Sequence, residues 1–373
     1  MSLRSIWISN CTGIFLLLML IYTSRTRTLR HRTEDKIFLF LVLGVMGACG
    51  MELFSYMIDG KVFPCARVLN YAANTYLFSV NVLLPFLVLV YVDLGLYGDI
   101  GRIRRNYKLQ IVIGAVMLAL NIVNYFVPIV YYITEQNVYE RRPVSYVYYF
   151  VILYYCITSL ILTLRYEKEN GAKAFFNIKM FLLPIIVGAG LQFAFYGLSL
   201  AWLASAIGLV GLFMMQQNEM AYIDALTDTY NRQYLNHIVT AWSNRGIVFS
   251  GAMLDVDDFK LINDRFGHSE GDRALKAVAD ILKQSCGSGE WVFRFAGDEF
   301  VVLKMSGDTG WLSTYLEQVN ERIRARNDES AGARIELSYG VSVKNAAESI
   351  DAFLKELDTQ MYAMKAKHHA AVS

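Results

Sequence analysis

The chain has 373 residues, of which 55% are hydrophobic and 18% charged, with a formal net charge of +2. Soluble domains average about 25% charged residues, so a chain lying wholly in water is excluded and part of this one is expected in lipid. The small net charge makes no case for a nucleic-acid partner, and the five cysteines form neither a CxxC pair nor a metal-type spacing.

Residues 1–216 are apolar runs separated by short basic loops. A helix needs about 20 apolar residues to cross the hydrocarbon core. Seven runs qualify, at about 6–23, 37–58, 69–92, 109–131, 146–164, 178–197 and 199–216. The first lacks a strongly basic start and a cleavage site, so it reads as a span rather than a signal peptide. Arg25, Arg27, Arg30, Arg32 and Lys36 mark one loop, Arg102, Arg104, Arg105 and Lys108 a second, and Arg165, Lys168 and Lys173 a third. Basic loops stay on the cytoplasmic side. The expectation is a multi-pass cell-membrane protein with its amino terminus outside and its carboxyl-terminal domain in the cytoplasm. Glu52, Asn70, Asn74, Asn81, Asn121, Asn124 and Gln192 fall inside spans. They read either as hydrogen-bond ties between helices or as a pocket for an unknown extracellular or membrane ligand.

Residues 217–223 follow the last span without Gly or Pro, so a helix can run on into the next segment. Residues 224–373 have the composition of a soluble α/β domain. "GIVFSGAML" predicts a buried strand over 247–254, ending at Asp255, Asp257 and Asp258. "SEGDRALKAVADILKQS" has helical apolar spacing behind a capping-type Ser269. "WVFRFAGDEFVVLK" predicts a hairpin with Asp298 and Glu299 at its turn. A helix near 310–326, a strand near 334–343 and a closing helix near 350–368 complete a mixed α/β sheet, expected to be covered on one face. If the strands bearing Asp255 and Asp298 are neighbours, their acids meet at one sheet edge. Carboxylates grouped in this way suit Mg²⁺ and phosphate chemistry, and Gly297 lets a nucleotide approach the backbone. An acidic hairpin turn by itself is more often merely solvated.

Five motifs in order change that reading: "DALT" with "NR" at 224–232, "LDVDDFKLINDRFGHSEGD" at 254–272, "RFAGDEF" at 294–300, "SYGVS" at 338–342 and "MYAMK" at 361–365. Together they resemble the GGDEF domain of the diguanylate cyclase family, over residues 217 to about 368. The resemblance implies a nucleotidyl-cyclase-like α/β fold behind the membrane helices, and condensation of two GTP into cyclic di-GMP and two pyrophosphates across a homodimer. It implies two Mg²⁺ or Mn²⁺ ions per active site, held by Asp255, the Val256 carbonyl, Asp298 and Glu299. Asp255, Asp298 and Glu299 would be catalytic. Asn263 and Asp272 would bind guanine. Lys260 and Lys365 would bind phosphates, assisted by backbone near Asp258 and Phe259, with Ala296 and Gly297 lining the nucleotide.

Other residues carry quieter readings: Asp257 and Asp264 as solvated or capping, His268 as a helix-start residue, Arg294 as an ion pair within the sheet, and Asp224 as structural. Three positions depart from the family pattern. Ala296 replaces a Gly, which crowds the nucleotide or forbids a positive φ. Gly287, Ser288, Gly289 and Glu290 replace the Arg-x-x-Asp of a product-inhibition site. His369 stands where an Arg would help hold triphosphate. The alternatives to a membrane-sensing cyclase are a degenerate domain that binds GTP without turnover, and a transporter or channel with an attached regulatory domain; no internal repeat favours the last.

Overall fold

In the computed structural model, the described residues are 3–25, 33–169, 178–195, 199–287, 289–329, 332–346 and 348–372. The chain forms two compact units that part between Gln217 and Asn218.

The amino-terminal unit is helical: α1 (Leu3–Arg25), α2 (Thr33–Ile58), α3 (Ala66–Tyr97), α4 (Ile100–Asn106), α5 (Lys108–Phe126), a hairpin of β1 (Tyr131–Ile133) and β2 (Tyr139–Arg141), then α6 (Tyr146–Glu169), α7 (Lys179–Ala194) and α8 (Ala201–Met220). Five of these, α1, α2, α3, α5 and α6, are long and apolar enough to cross a membrane. The last two expected spans are shorter apolar helices, over Lys179–Gln192 and Ala201–Gln217. The turn expected between them includes residues 196–198, outside the described residues, as are 26–32 and 170–177 of the basic loops.

The fourth expected span ends at Phe126, not near 131, because Pro128 cannot donate the next helical hydrogen bond and holds Val127 extended. Asn124 Oδ1 accepts from the backbone amides of Val130 (2.7 Å) and Tyr131 (3.2 Å), turning the chain into the hairpin. Asn70, Asn74, Asn121 and Gln192 act as ties between segments. Asn74 Nδ2 donates to Ser55 Oγ (3.1 Å), and Asn70 Nδ2 donates to Asn137 Oδ1 (3.2 Å). Asn121 Oδ1 accepts from the Tyr148 hydroxyl at 2.5 Å. Gln192 Oε1 accepts from the amides of Leu200 and Ala201. Glu52 Oε2 accepts from Asn10 Nδ2 (2.6 Å) and Ser199 Oγ (2.5 Å), joining α1 and α2 to the residues before α8.

The second unit contains β3 (Tyr230–Asn231), α9 (Arg232–Asn244), β4 (Phe249–Val256), α10 (Phe259–Phe266), α11 (His268–Ser285), β5 (Glu290–Ala296), β6 (Glu299–Lys304), α12 (Gly310–Glu329), β7 (Leu337–Lys344) and α13 (Ile350–Val372). The five strands lie in the order β3-β5-β6-β4-β7, with one parallel pair, β3 to β5, and the rest antiparallel. Every residue of β4 is buried, which needs helices on both faces rather than the expected one. Ala252, Leu254 and Val256 pack with Leu275, Val278 and Leu282 of α11 and Leu312 and Leu316 of α12. On the other face, Phe249 meets Trp242 of α9 (ring centroids 5.2 Å apart) and Phe353 of α13 (5.2 Å). The strand starts two residues later than its sequence pattern suggests and reaches Val256, so Asp255 lies within it.

Strand β7 is an edge, and α13 covers it. Gln360 Oε1 accepts from the Val341 amide (3.2 Å) and Met364 Sδ from the Tyr339 amide (3.4 Å), satisfying backbone donors that an open edge leaves bare. Gly340 permits this approach. A Cβ there would overlap the Leu357 carbonyl oxygen and stand 2.6 Å from the Met361 amide nitrogen. Gly340→Ala is therefore expected to lift α13 from the sheet and destabilise the second unit by about 1–3 kcal/mol, the usual range for overpacking. Thermal unfolding of the variant checks this; an unchanged melting temperature would show that α13 is not seated so tightly.

Candidate active site

The antiparallel register places Asp255 directly across from Glu299 on β6. The Val256 amide donates to the Asp298 carbonyl at 3.3 Å, which holds the hairpin turn against the end of β4. The strands bearing Asp255 and Asp298 are thus neighbours, and Asp255, Val256, Asp298 and Glu299 share one sheet edge. Asp255 is only 6% exposed. Its Oδ1 accepts from Lys365 Nζ of α13 at 2.6 Å.

The electrostatics of this edge are repulsive. Burial, followed by the negative charge of Asp255, Asp298 and Asp358, pushes the Glu299 carboxyl above its ordinary range. Burial raises Asp255 as well, and the Asp298 charge adds to it, although the Lys365 bond opposes both. Lys365 is itself raised: burial disfavours its charge, but its Asp255 bond and the surrounding carboxylates outweigh that. Hard carboxylate oxygens crowded at a strand end fit a divalent cation. Among the described residues no three His, Cys, Asp or Glu side chains already stand in ligand geometry, and Lys365 supplies the positive charge that Asp255 requires.

A second group lies at the corner of α10 and α11. A Cβ on Gly271 would overlap Asn263 Oδ1 and stand 3.2 Å from Phe259 Cζ. The glycine of "SEGD" therefore lets Asn263 rest against the backbone beside Asp272. Asp272 and Lys260 are exposed. The turn joining the two groups contains Asp258, in the left-handed region at φ 52°, which caps α10. The start of α11 is capped by Gly267 at φ 83° rather than by Ser269, and His268 is its first residue.

Ala296 does not occupy the left-handed region; the positive φ of the hairpin turn, 42°, falls on Gly297 alone. The methyl group of Ala296 is exposed, so it meets the nucleotide question only by bulk. Arg294 is not confined to the sheet. Its Nη1 pairs with Asp224 Oδ1 at 2.9 Å, and its Nε and Nη2 donate to the Gly297 carbonyl at 3.0 and 2.7 Å. Asp224 in turn accepts from the Thr227 amide and hydroxyl. The "DALT" turn and the hairpin turn are thereby joined through one guanidinium.

Asp257 is neither solvated nor a cap. It is 9% exposed, and its carboxylate is held by Ser338 and His368. Asp257, Ser338, His368 and Asp358 are the site neighbours that the motifs did not reveal. The available signal was the spacing of Asp358, Lys365 and His368 along one face of a helix. At the proposed product site, Glu290 is paired with Lys304 (3.0 Å) and accepts from the Gly287 amide (2.7 Å); Ser288 lies outside the described residues, as does the side chain of His369.

Residues 221–371 match the family model described as "Diguanylate cyclase, GGDEF domain". The chain is similar to the diguanylate cyclase DgcM of Escherichia coli K12, with 32% identity over 154 residues, covering 40% of this chain and 37% of that protein. It is also similar to the diguanylate cyclase DgcS of Shewanella oneidensis, with 33% identity over 162 residues, covering 41% and 53%. It thus spans between about a third and a half of the length of these curated relatives. Among solved structures, the coiled coil and GGDEF domain of DgcB from Caulobacter crescentus, in complex with c-di-GMP, is similar at 24% identity over 42% of this chain and 86% of that one, with a TM-score of 0.38. Over residues 221–371 the second unit is thus similar to the GGDEF domains of diguanylate cyclases.

The raised carboxyls generate a prediction. A carboxyl group whose pKa is raised on folding stabilises the fold below its ordinary range, at about pH 4, and loses that contribution as pH rises through its folded-state value. In metal-free buffer near neutral pH, Glu299→Gln should therefore raise the melting temperature of this unit. The gain should shrink towards about pH 4, and added Mg²⁺ should stabilise the wild type more than the variant. A lower melting temperature for the variant at neutral pH would contradict this account of the edge.

Proposed function

We propose that this protein is a membrane-bound diguanylate cyclase that condenses two GTP into cyclic di-GMP. The observation that carries the reading is the meeting of Asp255, Asp298 and Glu299 with Lys365 at one sheet edge, within a segment that matches the GGDEF family. Two such domains, one GTP each, would face one another in a homodimer.

In this reading Asn263 accepts from and donates to the guanine edge, and Asp272 accepts from its N1–H and amino group. An adenine offers Asp272 an acceptor where guanine offers donors, leaving those hydrogen bonds unmade, which favours GTP. Lys365 turns from Asp255 to the incoming triphosphate, and Lys260 with the amides leading into α10 holds the remaining phosphate charge. Asp255, the Val256 carbonyl, Asp298 and Glu299 would hold Mg²⁺ or Mn²⁺, which neutralises triphosphate charge and lowers the pKa of the attacking hydroxyl. Glu299, already biased towards protonation, takes the proton from the 3′-hydroxyl. The 3′-oxygen bonds to the α-phosphorus of the partner's GTP, and pyrophosphate leaves. Repeating the step in the opposite sense closes the ring.

Purified full-length protein in detergent, given Mg²⁺ and GTP, should make cyclic di-GMP. Glu299→Gln should lower the rate by about 10²-fold or more, the usual contribution of a positioned acid–base group. Binding of GTP by the wild type without product would overturn the reading in favour of a regulatory GTP-binding module.

The membrane unit, placed with its amino terminus outside and the GGDEF domain in the cytoplasm, would respond to a ligand and act through α8. That helix runs unbroken from Ala201 to Met220. A continuous helix transmits rotation or shift, which a flexible linker absorbs, and two GTP sites must face one another for reaction. Inserting two Gly residues after Gln217 should change basal turnover of the full chain. Turnover identical to wild type would mean that the helix is only a tether.

A further inference from the structure

Asp257 takes no part in the reaction outlined above, yet it is almost fully buried beside it. Three elements converge on it. Ser338 Oγ of β7 donates to Oδ1 at 2.7 Å. His368 Nδ1 of α13 lies 2.9 Å from Oδ2, and 3.2 Å from Ser338 Oγ. An ionised carboxylate only accepts, so Nδ1 carries the hydrogen and donates it to Asp257. The Asp257 amide donates to the Glu336 carbonyl at 3.0 Å.

This cluster stands in register with the Lys365–Asp255 pair. Lys365 and His368 are one helical turn apart, a rise of about 4.5 Å. Asp255 and Asp257 are two residues apart along the chain, about 6.6 Å in a strand. Both ties can therefore close at once, and they pin consecutive turns of α13 to the end of β4. His368 also continues the row of α13 side chains, Gln360 and Met364, that hold the backbone of β7. Beyond it the helix continues only to Val372, and the last carbonyls of a helix lack intrahelical partners. The Lys365 side chain is long and partly exposed, so it loses entropy on ordering against Asp255, and a second tie one turn further along α13 helps to keep it in place.

We propose that His368 is a positioning residue for nucleotide binding. By holding Asp257 it seats the last turns of α13, keeps the Lys365 ammonium over the strand end, and fixes the turn at residues 256–258 from which α10 begins. The proposal rests on the reading of this domain as a GTP-dependent cyclase. It makes His368 part of the phosphate grip through Lys365, on the same helix as His369, where the family pattern has an Arg.

The experiment uses the full-length chain in detergent with Mg²⁺. Affinity is measured for 3′-deoxy-GTP, which lacks the attacking hydroxyl and cannot condense, and KM and kcat are measured with GTP. His368→Ala and the volume-keeping His368→Leu should each weaken 3′-deoxy-GTP binding about tenfold, a loss in line with one charge-assisted hydrogen bond. KM should rise by a similar factor and kcat should stay within about twofold, the signature of lost ground-state binding. His368→Asn, whose amide can donate from nearly the same place as Nδ1, should recover most of the affinity. A purely structural role would lower the melting temperature of all three variants without separating KM from kcat or Asn from Leu. Unchanged affinity in Ala or Leu, or equal losses in Asn and Leu, overturns the proposal. If His368→Ala does not fold, the Leu and Asn pair decides. Wild type that binds 3′-deoxy-GTP but makes no cyclic di-GMP overturns the cyclase reading alone, and the affinities still judge His368. Wild type that does not bind it overturns both.

Discussion

The site depends on one buried carboxylate that has to be neutralised. Asp255 lies inside a fully buried strand, opposite Glu299 and beside the turn carrying Asp298. Placing several acids in such an environment costs stability, because burial penalises each charge and the charges repel. Lys365, brought in from a helix 110 residues further along the chain, offsets this. Function would exchange that partner, with cations taking over at the carboxylates while Lys365 moves to phosphate. Crowded carboxylates of this kind favour a positively charged partner, and the raised carboxyls of Asp255 and Glu299 reflect the crowding.

Much of the rest of the domain serves to bring that lysine to that aspartate. The sheet must leave β7 at its edge so that α13 can cover it, and Gly340 must lack a side chain so that α13 can lie close. On the far side of the site, Gly271 performs the same service for Asn263. Arg294 holds the hairpin turn to the "DALT" turn, so Asp298 and Glu299 are presented from a braced loop rather than a free one. The bracing ties a turn near the start of the domain to the edge that carries the acids.

The sequence displayed the parts of this arrangement that local chemistry dictates. Long apolar runs declared helices, the short apolar run before Asp255 declared a strand, and "AGDEF" declared a tight turn bearing acids. What it concealed depends on tertiary contact. That β4 is sandwiched on both faces follows from Phe249 meeting α9 and α13, partners far apart in the chain. Asp257 reads as a surface acid until Ser338 and His368, 81 and 111 residues away, close over it. Arg294 has a suitable partner on its own hairpin, yet it reaches back 70 residues to Asp224. The fourth apolar run continues past Phe126 in composition, but Pro128 ends the helix there, and the hydrogen bonds of Asn124 to the next segment, invisible in the sequence, fold the chain into the hairpin.

The most direct test of this account is a double-mutant cycle between Asp255 and Lys365, built from Asp255→Asn, Lys365→Met and the pair, and read as thermal stability of the full chain in chelator and then in Mg²⁺ with 3′-deoxy-GTP. If Lys365 stands in for the missing cation, the two side chains should show a clear favourable coupling in chelator that falls once metal and nucleotide are present. No coupling in chelator, or a coupling that persists unchanged in the loaded state, would contradict the view that this ion pair is the resting form of the site.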